Sequence, residues 1–431
     1  MIIDELHIES LAYGGAGLGR HEGRVVFVPF TAPGDRVRCR IIREKKRYAE
    51  GVAEQILVPS AERRQACCPV FGQCGGCQWQ HLSYSGQGSW KETIFSSLLN
   101  KQAGIDPAVM RPLACAPDEW TYRSRAQVKI RQAQNRLVMG FYRPGSHYVA
   151  NTESCPILHP LLNRTWSLFR QRLIECPDAA KIPQLDLETD DTGQVRAVLH
   201  YIGNQSEPIK EFFGTMSAVA NLSLFLQSGR KDTLTKLFGR ENLTIEVDDP
   251  PLKLQYGAGG FAQVNLEQNR ALVREVASLF PSGSRWRVLD LFCGMGNFSL
   301  PVARRAEKVI GVENFAPAID QARRNAEANG LTNVEFHARP AEGAATALWP
   351  ENGFDMVMLD PPRSGAYEVI RELARLKPAR ILYISCDPPT LARDLVPLLH
   401  SGYQLGWSRP YDLFPQTHHT ESVTLLSRQD F

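Results

Sequence analysis

Short alternating runs of apolar and polar residues open the chain. Four of them, His7–Leu11, Arg24–Val28, Arg36–Ile42 and Gly51–Leu57, are rich in residues that favour strands, and Gly14–Gly19 and Ala32–Asp35 break them apart. Runs of this length with Gly and Pro between them read as strands joined by tight turns. Packed into residues 1–58, they predict a small β-barrel of the OB type, a common nucleic-acid platform. No Lys-Ser or Lys-Thr follows the glycine run, so it reads as a turn rather than a phosphate loop.

Residues 59–260 carry a different pattern. Cysteines crowd the segment up to about residue 80, a helical stretch spans Trp90–Lys101, and strands such as Ala126–Ile130 and Val195–Tyr201 then alternate with helices and polar loops. This predicts an α+β middle domain. From Arg285 the pattern becomes regular β-α-β-α, so residues 261–431 are expected to form an α/β domain with a mostly parallel sheet covered on both faces.

Composition narrows the class. With 431 residues, 43% hydrophobic and 22% charged, the chain is expected to be globular, with several domains. No apolar run approaches the length of a membrane span. The start, Met1–Glu5, has neither a basic region nor a long apolar segment, so no secretory signal is expected and the cytoplasm is the expected location. The net charge of +3 is small, but Arg36–Arg47 holds seven basic residues against one acid. Such a stripe suits a phosphate backbone, and equally a solvated strand edge. Ten cysteines in a cytoplasmic chain point to metal ligation or catalysis rather than disulfides.

Cys386 follows the apolar run Ile381–Ile384 and precedes Asp387-Pro388-Pro389 and a helix over Leu391–Leu399. Doubly wound folds place their chemistry at the carboxyl ends of such strands. Backbone N–H groups and the following helix N-terminus are expected to lower the thiol pKa and make a nucleophile. A lone cysteine there is otherwise a small core residue.

A second motif supplies the context. Val288–Leu291 is a buried strand that runs into Phe292-Cys293-Gly294-Met295-Gly296-Asn297, and Glu313 ends the next strand 19 residues after Gly294. Glycines let a ligand approach the backbone, and an acid at this distance can hold ribose hydroxyls. There is no third glycine at the dinucleotide spacing, which argues for a nucleoside ligand without pyrophosphate. The turn resembles the S-adenosylmethionine site of Rossmann-like methyltransferases. Asp360 ends a further strand, in Leu359-Asp360-Pro361-Pro362-Arg363; Arg363 stands where amino-methyltransferases carry an aromatic residue.

Methyl transfer to nitrogen or oxygen needs no cysteine, but transfer to pyrimidine C5 does. A thiolate adding to C6 makes C5 enolate-like, and a base must later remove the C5 proton. His418, His419 and Glu421 are the base candidates in the tail, and position alone does not separate them.

Four segments together resemble the RNA uracil-C5 methyltransferase family: Val288–Pro301 (VLDLFCGMGNFSLP), Leu359–Gly365 (LDPPRSG), Ser385–Leu395 (SCDPPTLARDL) and Phe414–Val423 (FPQTHHTESV). The resemblance covers nearly the whole chain and is strongest to members acting on 23S ribosomal RNA. It implies that Cys386 is the nucleophile and Glu421 the base. It further implies that Gln263, Phe292, Gly294, Asn297, Glu313 and Asp360 line an S-adenosylmethionine site, and that residues 1–58 are a TRAM domain that binds RNA. Residues 81–114 are expected to pack on the catalytic domain, as they do in the family. The loop 337–341 departs from the family pattern, and its adenine contact stays unassigned.

Cys68, Cys74 and Cys77 form C-x5-C-x2-C and need a fourth thiolate. Cys155 and Cys176 are each followed by Pro, and from spacing either serves. The resemblance selects Cys155 and implies a [4Fe-4S] cluster; a closed zinc site is the alternative. Cys39, Cys115, Cys176 and Cys293 read as ordinary small residues, and Cys67 as a spare beside Cys68. A uracil inside folded RNA is expected to flip out to reach Cys386. Transfer RNA or DNA as substrate, and a non-catalytic RNA-binding factor, are the rival readings. A monomer is the default expectation.

Overall fold

The computed structural model describes residues 1–133, 136–229, 233–281 and 283–428, so the last residues of the expected C-terminal domain lie outside it. Strands Ile2–Leu11, Gly17–His21, Arg24–Val28, Arg36–Glu44 and Tyr48–Val58 close into a barrel. Strict alternation builds it. In Arg36–Glu44, Val37 and Cys39 are buried while Arg36, Arg38 and Arg40 face out. The basic stripe is therefore spread over an outer face and largely neutralised there. Arg36 pairs with Glu5, Arg38 with Asp4 at 3.7 Å, Arg40 with Glu54 at 2.7 Å and Arg43 with Glu50 at 3.7 Å. Lys45, Lys46 and Arg47, exposed at the next turn, make no ion pair among the described residues.

The middle sheet runs in the order Leu234–Phe238, Leu222–Ser228, Val195–Tyr201, Gln184–Thr189, Arg125–Ala133, Arg136–Tyr142 and Val149–Asn151. Trp166 and Phe169 of helix Pro160–Ile174 and Phe213 of helix Glu207–Gly214 pack with Val128, Leu185 and Leu199 in one core. Cys176 belongs to this core and Cys39 to that of the barrel, both as small buried residues. Cys115 is exposed.

The C-terminal sheet has the order Val334–Ala338, Lys308–Glu313, Arg287–Leu291, Met356–Leu359, Arg380–Ser385, Glu421–Arg428, Tyr403–Tyr411. The first five strands are parallel, and Glu421–Arg428 runs antiparallel between its two neighbours. Wholly buried runs such as Met356–Leu359 are what a sheet covered on both faces requires.

Two segments from the middle stretch pack into this domain. The hairpin of Asn242–Val247 and Leu252–Gly257 buries Leu243, Ile245 and Leu254 in the same core as Val288, Leu300 and Phe336. Helix Tyr84–Ala103 is capped by Ser83, whose hydroxyl accepts from Gly86 N, and places Phe95 and Leu99 against Leu391, Leu395 and Leu398. On the same helix Lys91 Nζ reaches Asp412 Oδ1 at 2.6 Å, with both side chains fully buried. No helix among the described residues is long and apolar enough to cross a membrane.

A buried ion pair is held by mutual need, because either charge alone is left unsolvated. Lys91→Met is expected to cost about 3–5 kcal/mol of unfolding free energy. The double change Lys91→Met/Asp412→Leu should recover most of it. Urea unfolding of the three proteins measures both.

Candidate active site

Strand Arg380–Ser385 pairs with Glu421–Arg428 so that Ser385 faces Ser422. One step further along this antiparallel ladder sets Cys386 against Glu421. The strand Met356–Leu359 lies on the other side of Arg380–Ser385, so Asp360, just past its end, borders the same spot. The carboxyl ends of the parallel strands and the amino end of the antiparallel one thus meet at one edge. Asp387 caps helix Pro388–His400, accepting from Thr390 N at 3.0 Å, and its other carboxylate oxygen accepts from Tyr13 Oη of the barrel at 2.8 Å.

The edge is acidic and shielded from water. Burial pushes the Cys386 thiol up to about 12; Glu421 and Asp360 push the same way, and Arg363 opposes them. The sequence led us to expect a lowered thiol. Burial among carboxyl groups outweighs the helix N-terminus, which Asp387 itself occupies. Glu421 is buried, and burial followed by repulsion from Asp360 holds its carboxyl well above the usual range, again against Arg363. Asp360 is pushed up to about 7 by burial and then by Asp290 and Glu313. Asp290 is likewise pushed up to about 7, chiefly by burial, although its carboxyl accepts from the Ser299 hydroxyl. Such a row of carboxyl groups favours a ligand that brings positive charge.

The glycine turn lies beside this row. Phe292, Gly294 and Gly296 have φ values of 66°, 55° and 95°. A Cβ on Gly296 would sit 2.9 Å from Leu300 Cγ, whereas one on Gly294 would project into open space. That opening is where a ligand can meet the backbone. Cys293 N donates to Val312 O at 3.0 Å, which joins the turn to the next strand, while the Cys293 side chain is buried in the core. Asn297 and Asn269 exchange amide hydrogen bonds of 3.0 and 2.9 Å, fixing the turn to helix Leu266–Ser278. Glu313 Oε1 accepts from Phe315 N at 2.8 Å. Gln263 is half-buried in the loop before that helix, and Ser124 donates to Val264 O next to it. In the loop 337–341, Arg339 N donates to Glu313 O at 3.0 Å.

Residues 114–429 match the family described as tRNA (Uracil-5-)-methyltransferase, and residues 5–53 match the TRAM domain. The chain belongs to the RNA uracil-5-methyltransferase family. A similar protein, 23S rRNA (uracil(1939)-C(5))-methyltransferase RlmD of Alkalilimnicola ehrlichii, is 36% identical over 99% of this chain and 96% of its own. The enzyme of the same description from Shewanella amazonensis is 35% identical over 98% and 95%. Among solved structures, Pyrococcus abyssi tRNA (uracil-54, C5)-methyltransferase in complex with S-adenosyl-L-homocysteine superposes with a TM-score of 0.76 at 26% identity, covering 98% of this chain and all of that one.

Within this methyltransferase, several contacts at the active edge had no visible sign in the sequence. Gln416 is fully buried with φ 70°. Its carbonyl accepts from Gln78 N and Trp79 N, each at 3.0 Å, and its side chain engages Arg64, Gln87 and Glu119. Tyr13 packs edge-on against His418, their ring centroids 5.8 Å apart. His418 and His419 are half-buried, and burial drives their pKa values down to about 4 and about 3. Arg363 is the cation that opposes proton uptake at both Cys386 and Glu421. Gln416 and Arg363 stand in the quoted motifs, but the spacing of a motif does not reveal which carbonyls and carboxylates its side chains meet.

The four cysteines singled out by sequence come together in part. Burial pushes the Cys77 and Cys155 thiols up to about 12, and both also feel Cys74 and Cys68. Cys176 lies apart in the middle core. Among the described residues no group of three or more His, Cys, Asp or Glu is arranged to hold a metal ion.

The charged forms of Cys386 and Glu421 are both disfavoured, so both become more available as pH rises. With the thiol pushed up to about 12, the thiolate is a minor form at pH 7 and grows as pH rises. Single-turnover methyl transfer is expected to rise by up to about tenfold per pH unit between pH 6 and 9. Arg363→Gln, which removes the opposing cation, should lower the rate throughout and move the profile to higher pH. A flat profile would contradict this electrostatic picture.

Proposed function

We propose that this protein methylates C5 of a uridine in 23S ribosomal RNA, with Cys386 as nucleophile and Glu421 as proton acceptor. The observation that supports the reading is the pairing of Ser385 with Ser422, the residues next to Cys386 and Glu421, together with the influence of the Glu421 charge on the Cys386 thiol. When bound, S-adenosylmethionine supplies the methyl group from a positively charged sulfonium. The acidic edge and the open space over Gly294 suit such a ligand, and the Pyrococcus abyssi neighbour was solved with S-adenosyl-L-homocysteine. Gln263, Phe292, Gly294, Asn297, Glu313 and Asp360 would hold it.

Cys386 gives its proton to solvent and adds to C6 as the thiolate, which sends the C5=C6 electron pair toward O4 and makes C5 nucleophilic. Once C5 carries the methyl group, Glu421, in its ionised form, takes the C5 proton. The C5=C6 bond re-forms, the C6–S bond breaks, and the thiolate is released. Glu421 then passes its proton to water. Its raised pKa makes Glu421 a stronger base than the neighbouring histidines, which hold protons only below about pH 4. The uracil reaches this recessed edge by leaving its stack. The barrel and middle domain position the surrounding RNA, and the enzyme works as a monomer in the cytoplasm.

Ribosomal RNA is favoured by relatives 35–36% identical over nearly their whole length. Transfer RNA is the second reading, from the name of the matched family and of the solved neighbour. In cells lacking the gene, 5-methyluridine should vanish from one 23S site. Wild type should restore it and Cys386→Ala should not; loss from transfer RNA alone would overturn the substrate. In vitro, Glu421→Gln is expected to slow turnover about 10²–10⁴-fold and to accumulate a protein–RNA adduct on denaturing gels.

Cys68, Cys74, Cys77 and Cys155 are the proposed ligands of a [4Fe-4S] cluster. Support comes from their thiol chemistry and from the mutual influence of their charges. Methyl transfer to C5 needs no electrons, so the cluster's part is structural: Gln78 and Trp79, next to Cys77, bind the Gln416 carbonyl. Iron content of anaerobically purified protein checks the ligand set. Cys155→Ser should lose iron, while Cys176→Ser should keep it.

A further inference from the structure

Away from Cys386, a cavity of about 650 Å³ opens between the barrel and the cysteine loop. Phe30 of the barrel, Phe71 of the loop, Arg63, Arg64 and His81 line it. None of the residues of the active edge does. The rings of Phe30 and Phe71 meet edge to face at 5.3 Å, and Phe71 leans on the His81 ring at 5.6 Å. Phe30 has φ 62°, a left-handed conformation that an aromatic residue rarely adopts, and strain of this kind gathers at binding sites.

His81 is the unusual group. It is only 3% exposed, and among the described residues neither ring nitrogen makes a hydrogen bond of good geometry, although the Thr31 backbone lies near enough to act on the ring. A buried polar atom without a partner calls for an explanation, and a missing ligand is one. Burial pushes its pKa down to about 4, with the Thr31 backbone acting in the opposite sense, so the ring is neutral. A neutral imidazole presents one donor and one acceptor, as the edge of a nucleobase does.

The arginines are fixed planes rather than free charges. Arg63 Nε donates to Asp35 Oδ1 at 3.0 Å and Arg63 Nη2 to Phe30 O at 3.1 Å. Arg64 is held by Glu119 at 3.0 and 2.6 Å. Aromatic faces beside guanidinium planes are the surface on which unpaired bases stack. The cavity has the size of an ordinary small-ligand site and room for a nucleobase with its ribose. Phe30 lies in the segment matched by the TRAM domain.

We propose that this cavity takes a second extruded nucleobase of the RNA, stacked against Phe30 and Phe71 and hydrogen-bonded by His81. The inference rests on the proposed function, because the base belongs to the RNA whose uridine enters the active edge. Occupancy bears on that edge through Arg64, which also donates to Gln416 Oε1 at 3.1 Å.

The test uses the full-length enzyme and a stem-loop RNA carrying the uridine equivalent to uracil 1939 of the similar enzymes. 5-Iodopyrimidines, which photocrosslink to stacked aromatic side chains, replace loop nucleotides one at a time outside the target. The expected result is a crosslink from one such position to Phe30, Phe71 or His81, identified by mass spectrometry. Phe30→Ala should abolish it and raise KM for the RNA about tenfold, with KM for S-adenosylmethionine unchanged. His81→Phe, which keeps the ring and removes its nitrogens, should raise KM for the RNA alone. Methylation of the RNA with crosslinks only elsewhere overturns this inference and leaves the proposed function standing. An RNA that binds but is never methylated by the wild type overturns both.

Discussion

One antiparallel pairing carries the site. In a parallel sheet every strand delivers its carboxyl end to the same edge, so a later segment of chain reaches that edge with its amino end only by running the other way. Glu421 begins such a strand, between Arg380–Ser385 and Tyr403–Tyr411. A slip of one residue would turn Glu421 to the opposite face and exchange Val423 and Leu426 between the two separate cores in which they pack. The fit of each side chain to its own core resists that slip, and so does the buried hydroxyl pair of Ser408 and Thr424 at 2.7 Å.

The same burial sets the chemistry. Asp290, Asp360, Glu421 and Cys386 share an edge with little water, where each negative charge makes the next more costly. Glu421 gains basicity from its surroundings at the expense of thiolate at Cys386. On the proposed mechanism this is a workable division, since the carboxylate must take a proton from carbon and the thiol must stay quiet until a base is in place.

The three modules meet on the short loop before Glu421. Lys91 binds Asp412, Gln78 and Trp79 bind the Gln416 carbonyl, Arg64 binds its side chain, and Tyr13 of the barrel reaches Asp387 beside Cys386. The position of Glu421 therefore depends on residues that take no part in proton transfer. A barrel and a cysteine loop share a chain with the methyltransferase domain for a mechanical reason as well as for gripping RNA.

Periodicity and local chemistry were enough to read the barrel, the change to β-α-β-α near Arg285 and the glycine turn, because each depends on residues close together in the chain. The pattern also marked Cys386 and three candidate bases in the tail, His418, His419 and Glu421. It did not show that the hairpin 242–257 packs into the C-terminal domain, because an apolar face does not name its partner, and the packing of helix Tyr84–Ala103 there was expected only from the family resemblance. It misjudged the thiol, since a helix N-terminus is visible in sequence and the carboxyl groups of distant strands are not. It also left the arginine stripe open between two readings, until Glu5, Asp4, Glu54 and Glu50 appeared beside it. The chain alone determined which groups are present and how each segment folds locally. Only tertiary structure decided which charges face one another across a buried edge, because electrostatic energy depends on distance and solvent exposure, not on order along the chain.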